Sequence, residues 1–308
     1  MSLSILNGGF LTLIQDFGRY GLQHNGITHS GPLDEHAFLW ANRLLNNHYN
    51  SPQLEISFGG FTARFNKKTM IAICGADLSA TLNGKALPLW QSCYVNAGDE
   101  IRFTSPKSGL RTYLAVKEGF TVPSQLNSAA TVVREKLGGL RQSGEKMLEK
   151  DVVPYQVCSE EISLNVPYIY IPKYQNKVKL RFIPNRSVSG CSYDATNDFT
   201  QQVFKVTSQI DRMGYRLEGN AISHASAGII SQGITLGAIQ LPKDGQPIVL
   251  MKDRQTMGGY PQLGCVAYLD LPLLAQSMPG TEVSFVPVAI SDLEGELAEH
   301  KRFFHLDL

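Results

Sequence analysis

The side chains best placed to do chemistry fall into two runs. The richer run is Gly237-Ala238-Ile239-Gln240-Leu241-Pro242, then Asp244-Gly245-Gln246-Pro247, then Asp253-Arg254-Gln255-Thr256-Met257-Gly258-Gly259-Tyr260-Pro261. A strand that ends in Asp-Arg-Gln-Thr before paired glycines sets four polar side chains at a sheet edge, and the Gly258 and Gly259 N–H groups can hold an anionic oxygen. The structural alternative is a glycine-rich bend with a satisfied aspartate. Upstream, Asp211-Arg212-Met213-Gly214-Tyr215-Arg216-Leu217-Glu218-Gly219 adds two arginines around a glycine. Alternation along a strand places Arg212 and Arg216 on one face, suited to a carboxylate, with a solvated surface strand as the plain alternative.

The second run is Thr12-Leu13-Ile14-Gln15-Asp16-Phe17-Gly18-Arg19-Tyr20-Gly21, followed by Ser30-Gly31-Pro32-Leu33-Asp34 and Ala41-Asn42. Gly18 and Gly21 permit tight turns. In such a turn Asp16 and Arg19 come close enough to pair and leave guanidinium donors for a carboxylate or carbonyl. A structural turn in which Asp16 and Asp34 cap nearby amides is the competing reading. His24, His29 and His36 lie close together and could bind zinc in principle, although scattered loop histidines are far commoner.

These segments need elements to hold them. Leu110–Val116 alternates like a half-buried strand, with Leu110, Thr112, Leu114 and Val116 on one face. Ser79–Leu82 and Ala86–Leu89 flank Asn83-Gly84, a two-residue hairpin pair. Ala97-Gly98-Asp99 separates two further strands, and Ala238–Leu241 with Pro247–Lys252 form a second hairpin around Lys243-Asp244-Gly245. Helices are expected at Leu33–Asn46, Thr196–Lys205, Leu271–Ser277 and Ser291–Phe304. The last carries Ser291 as its N-cap and Glu294 as the capping-box partner. The expected organisation is an N-terminal β subdomain over 1–119, a connector over 120–177 and a C-terminal β subdomain over 178–308.

Composition narrows the function. The chain has 308 residues, 43% hydrophobic and 18% charged, with a net charge of +1. It can bury a core, and it lacks the field a phosphate-neutralising nucleic-acid binder needs. No apolar run approaches membrane-spanning length and no signal peptide is expected at Met1–Phe10. Five widely spaced cysteines without C-x-x-C favour free thiols in a reducing compartment, so a cytoplasmic location is expected. P-loop, G-x-G-x-x-G, G-x-S-x-G and H-E-x-x-H signatures are absent.

Read together, Gln15-Asp16-x-Gly18-Arg19-x-Gly21, Ser30-Gly31-x-x-Asp34, Ala41-Asn42, Arg212-Met213-Gly214-Tyr215-Arg216-Leu217-x-Gly219, Gly237-Ala238-Ile239-Gln240-x-Pro242, Asp244-Gly245-x-Pro247 and Asp253-x-Gln255-Thr256-x-Gly258-Gly259-Tyr260-Pro261 resemble the KipA-like family. This is the carboxyltransferase A/B-subdomain group, which includes allophanate hydrolase subunit 2 and the C component of bacterial 5-oxoprolinase. The match runs in order along nearly the whole chain. Met257 stands in place of a threonine, and Leu140-Arg141-Gln142-Ser143-Gly144-Glu145 departs from the usual Gly-Arg-x-Leu-x-x-Gly-Asp.

The resemblance implies a mainly β fold of two cyclophilin-like barrel subdomains with a few helices. It implies an ATP-dependent 5-oxoprolinase in which this chain and a B-like (KipI-like) subunit phosphorylate the lactam, and an A-like (LamB/YcsF-like) subunit finishes ring opening to glutamate. ATP would be shared with the partner, and no metal is implied. Fused relatives imply the alternative, carboxyl transfer from a biotin carrier to urea or a related amide; a regulatory binding role is a third reading. Amide activation calls for cationic or amide donors at a developing oxyanion and a carboxylate for proton transfer. Asp253, Arg212 and Arg216 are the expected catalytic residues. Asp16, Arg19, Gln240, Gln255, Thr256, Gly258, Gly259 and Tyr260 are the expected substrate-binding residues, and Asp253 is expected at the rim of a cleft.

Overall fold

A computed structural model of the chain describes residues 1–160, 163–185, 193–223 and 230–306, with the side chains of residues 193 and 194 left out of the description. Cys191 lies outside the described residues. The fold is mainly β and divides into two compact units, residues 1–20 with 30–174 and residues 21–29 with 175–308. The stretch 120–174 falls in the first unit, where it supplies the short strand Val152–Pro154 and a 3-10 turn at Tyr168–Tyr170.

In the first unit the strands form two sheets. One runs in the order Val152–Pro154, Ser2–Gly8, Phe61–Phe65, Glu100–Arg102, Thr81–Leu82, Lys85–Ala86; the other runs Leu11–Gln15, Gln53–Ser57, Ser108–Val116, Thr69–Asp77, Gln91–Val95. Alternate residues from both meet in one core that includes Leu3, Ile5, Phe61 and Phe65 from the first and Ile14, Ile56, Ile73 and Leu114 from the second. Helix α1 (Glu35–Leu44) packs on the other side of the second sheet, and Asp34 caps it by accepting from Ala37 N at 3.0 Å. Ser108–Val116 is therefore buried on both faces. It is not the half-buried strand that its alternation suggests, because α1 covers the second face.

Asn83 and Gly84 take φ of 51° and 79°, the left-handed pair that a tight hairpin between Thr81–Leu82 and Lys85–Ala86 requires. The turn at 97–99 does something different. Gln91–Val95 and Glu100–Arg102 belong to different sheets, so this turn passes the chain from one layer to the other.

In the second unit seven strands close a barrel in the order Lys177–Pro184, Gln262–Val266, Ala238–Gln240, Ile248–Leu250, Gly214–Glu218, Phe204–Ile210, Glu282–Pro287, and the last pairs parallel to the first. Phe182, Phe199, Phe204 and Phe285 cluster with ring centroids 4.3 to 6.1 Å apart. Phe204 and Val206 are buried while Lys205 is exposed, a period of two. That periodicity ends the helix early: α2 runs Tyr193–Thr200, and residues 204–210 form a strand instead of completing the expected helix.

Helix α3 spans Leu271–Ala275 and α4 spans Ser291–Phe304. Ser291 is already the first helical residue and caps nothing; Asp292 accepts from Ala289 N at 3.1 Å, so the expected capping box does not form. We expect Asp292→Ala to fray the first turn of α4 and Ser291→Ala to leave it intact, read by amide hydrogen exchange at Leu293–Gly295.

Candidate functional site

The barrel register builds the site. Arg216 lies opposite Ile248, Ile248 opposite Gln240, and Gln240 opposite Gln262, so one row of four side chains crosses four strands. The neighbouring row, Tyr215, Val249 and Ile239, is fully buried inside the barrel. The Arg216 row therefore faces outward. Over it lies a two-stranded ribbon, Gln232–Gly233 with Met257–Gly258, anchored by Ile234 packed against Ala238 and Leu250.

Gly258 matters because it has no side chain. A Cβ there would lie 2.7 Å from Ile234 Cδ1, 2.9 Å from Gln240 Nε2 and 3.4 Å from Gln255 Nε2. The glycine thus lets the ends of two carboxamides and of Ile234 pack closely against the ribbon. Gln240 is 2% exposed, and its side chain makes no hydrogen bond to any described residue. Thr256 is half-buried and its carbonyl accepts from Ile234 N. Gly259 is half-buried, and Tyr260 is exposed at the end of the ribbon.

The arginines separate sharply. Arg212 is buried and binds Asp253 through Nε and Nη2, at 2.8 and 3.0 Å. Arg216 is partly exposed and pairs with Asp244. Arg212 and Arg216 do not share a face, because the Asp211 carboxylate accepts from Met213 N and Gly214 N and folds 211–213 into a turn before the strand begins. Asp253 is 4% exposed, buried in its ion pair and not at a cleft rim, with both carboxylate oxygens engaged.

Arg254 is the residue that sequence reasoning passed over. It is buried; its Nε donates to Ile234 O at 3.2 Å and its Nη1 to Met251 O at 3.5 Å, and no carboxylate among the described residues pairs with it. Burial draws its guanidinium down to about 10, opposed by Cys265 and Asp253, so it is still cationic at neutral pH. A buried cation held only by carbonyls suits an anionic oxygen. Thr28, which belongs to this unit, donates to Arg254 O at 3.1 Å.

Neighbouring groups have quieter duties. The Lys252 ammonium lies 5.7 Å from the Tyr268 ring centroid, a cation–π contact. Cys265 donates to Leu236 O, and burial pushes its thiol up, away from the thiolate a nucleophile needs. No group of three or more metal-ligating side chains occurs among the described residues.

Asp16 and Arg19 sit in the first unit and grip one segment of it. Asp16 accepts from Ser128 Oγ, Ala129 N and Gly18 N, and burial still holds its carboxyl above the ordinary range. Arg19 donates to the carbonyls of Gln125, Ser128 and Ala130. Gly138 permits that approach: a Cβ there would lie 2.0 Å from Ala130 O and 2.5 Å from Arg19 Nη2. The guanidinium that the spacing leaves for a ligand is committed to backbone carbonyls.

The chain matches the carboxyltransferase domain, subdomain A and B, over residues 25–287, and it belongs to that family. It is 32% identical to the C component of 5-oxoprolinase from Escherichia coli over 98% of this chain and 96% of that protein. To the Haemophilus influenzae protein of the same name it is 31% identical, over 94% and 92%. The crystal structure of K. lactis urea amidolyase matches with a TM-score of 0.91 at 25% identity, over 98% of this chain but only 20% of that one. No helix among the described residues is long and apolar enough to cross a membrane.

Two outcomes test this partition of roles. Asp253→Asn removes the charge facing the buried Arg212, and we expect a stability loss of about 3 kcal/mol or more with activity per folded molecule retained, whereas Arg216→Ala costs about 1 kcal/mol or less. Denaturant unfolding beside turnover of the reconstituted complex measures both; wild-type stability with lost turnover would return Asp253 to proton transfer. Gly258→Ala meets only side-chain ends, so we expect the fold to survive while kcat/KM falls at least about tenfold as the Gln240 carboxamide is displaced.

Proposed function

We propose that this chain is the C component of an ATP-dependent 5-oxoprolinase, acting with a B-like (KipI-like) subunit to phosphorylate the lactam of 5-oxoproline before an A-like (LamB/YcsF-like) subunit finishes ring opening to glutamate. The observation that carries the reading is Arg254, a desolvated guanidinium without a carboxylate partner among the described residues, which donates to the carbonyl of Ile234, the residue whose side-chain end packs with the Gln240 and Gln255 carboxamides at Gly258. 5-Oxoproline carries one carboxylate and one amide. Arg254 answers the first, and buried carboxamides, Gln240 foremost, answer the second. A carboxamide oxygen that accepts from the lactam N–H supports the flow of electrons from nitrogen to the oxygen that attacks the γ-phosphate, and a carboxamide N–H orients that oxygen. Near-full-length likeness to two proteins named as the C component of 5-oxoprolinase supports the same reading.

ATP, in this reading, is held jointly with the B-like partner in the cytoplasm, since no phosphate-cradling loop occurs in the sequence. The likeness to urea amidolyase favours one second reading, carboxyl transfer from a biotin carrier to urea. In that reading the biotin carrier lies outside these 308 residues, which contain no biotin-acceptor Met-Lys-Met sequence.

The purified chain with ATP and 5-oxoproline is expected to release no glutamate above blank, and release is expected once the B-like and A-like partners are added. The chain and its B-like partner should co-elute on size exclusion at micromolar concentration. Turnover by the chain alone would overturn the split site. Arg254→Met removes a buried charge and its desolvation cost. We expect its Tm to match or exceed the wild type, with turnover down about 100-fold or more and with loss of the Tm rise that 5-oxoproline gives the wild type.

A further inference from the structure

Gln262 carries no local sequence signal, yet the barrel sets it directly opposite Gln240 on adjacent antiparallel strands. Both residues are more than nine-tenths buried, 2% and 8% exposed, and each Nε2 is fully enclosed with no hydrogen-bond partner in the structure. Neither side chain bonds to any described residue. Directly opposed residues have Cβ atoms about 5 Å apart, so the two carboxamides are near neighbours on the outward row. Leaving such groups unmet is costly, and natural interiors rarely do so without a ligand or a function.

We propose that Gln240 and Gln262 together form a subsite for the edge of a cis-amide, the N–H and C=O that a lactam, urea or the ureido ring presents on one side. A primary carboxamide carries the same two groups in the opposite sense, so one carboxamide and one cis-amide edge make two hydrogen bonds, N–H donating to C=O each way. Rotation about the last side-chain torsion exchanges the carboxamide oxygen and nitrogen, so the pair can meet the edge in either direction. The second carboxamide then binds the remaining lone pair of the ligand's oxygen. Carboxylates and phosphates offer acceptors alone and leave the glutamine oxygens unanswered. Gly258 bounds the subsite: a Cβ there would lie 2.9 Å from Gln240 Nε2, so only glycine leaves that carboxamide where it is. This assignment rests on the functional reading above and sharpens it: Arg254 takes the charge, and the glutamine pair takes the amide.

The test uses the full-length chain with 15N-labelled glutamine side chains, the Gln240 and Gln262 NH2 resonances being identified by their loss in Gln240→Leu and Gln262→Leu. Titration with 5-oxoproline, urea and biotin is expected to move both resonances for at least one of them. 2-Pyrrolidinone should bind the same place, and N-methyl-2-pyrrolidinone, which lacks the N–H, should bind at least about tenfold more weakly. The last comparison is made on the wild type, so it stands even where a leucine variant fails to fold. Equal binding of the two pyrrolidinones, or resonances that no probe moves, overturns the subsite and leaves the pair as a holder of ordered water. If urea or biotin moves the resonances and 5-oxoproline does not, the subsite stands and the 5-oxoprolinase reading falls. If 5-oxoproline binds without moving them, the reverse holds.

Discussion

The bidentate contact between Arg212 and Asp253 ties the turn that opens one barrel strand to the turn that leaves another, and the backbone repeats the tie through Met251 N to Met213 O and Asp253 N to Arg212 O. Everything from Arg254 to Gly258 starts from that fixed point. A charged pair at 4–5% exposure gains little over a well-packed apolar pair, but it tolerates no one-sided change. It also aims the chain. With Asp253 pinned by both oxygens, the next side chain, Arg254, passes under Ile234 and meets only carbonyls. The interaction that looks most catalytic in the sequence is also a buried ion pair that fixes the start of the Arg254–Gly258 segment.

The barrel wall does the rest by register. A β row places side chains at strand spacing, about 4.8 Å, so Arg216 stands about two strands, or 10 Å, from Gln240 across Ile248. Arg216 belongs to the site's flank, and its partner Asp244 comes from the hairpin loop that joins the two middle strands of the row. Chain separation says little here: Gln240 and Gln262 become neighbours only because a register shift after Ile239 realigns the strands.

Much of this was legible beforehand, and the limits have physical causes. The strands around Asn83-Gly84 and Lys243-Asp244-Gly245 announce themselves because turn chemistry is local. Asp34 as a cap, the weight of the Gly258 segment and the mainly β character likewise follow from residue type and spacing. Arg254 was hidden because a guanidinium's role depends on which carboxylate reaches it, and Asp253 went to Arg212 forty-one residues upstream. Gln262 was hidden because nothing local marks it; only cross-strand pairing gives it a partner. Ser291 failed as a cap since the helix begins at that residue, one position earlier than a cap allows. Asp16 and Arg19 read as a ligand pair because the segment they grip lies more than a hundred residues away.

The parallel pairing of Lys177–Pro184 with Glu282–Pro287 sets a timetable for synthesis. The barrel cannot close until about a hundred further residues have left the ribosome, and contacts of such long range are slow to form. Residues 21–29 wait longer still, for they belong to the second unit and Thr28 finds its acceptor only when Arg254 has been made. A nascent chain stalled before the final strand therefore carries an open sheet edge on each side of the unfinished barrel, and one stalled before Arg254 also carries an early loop whose acceptor is still to be made. Those two edges are templates for wrong pairing until Glu282–Pro287 has emerged and taken its place between them.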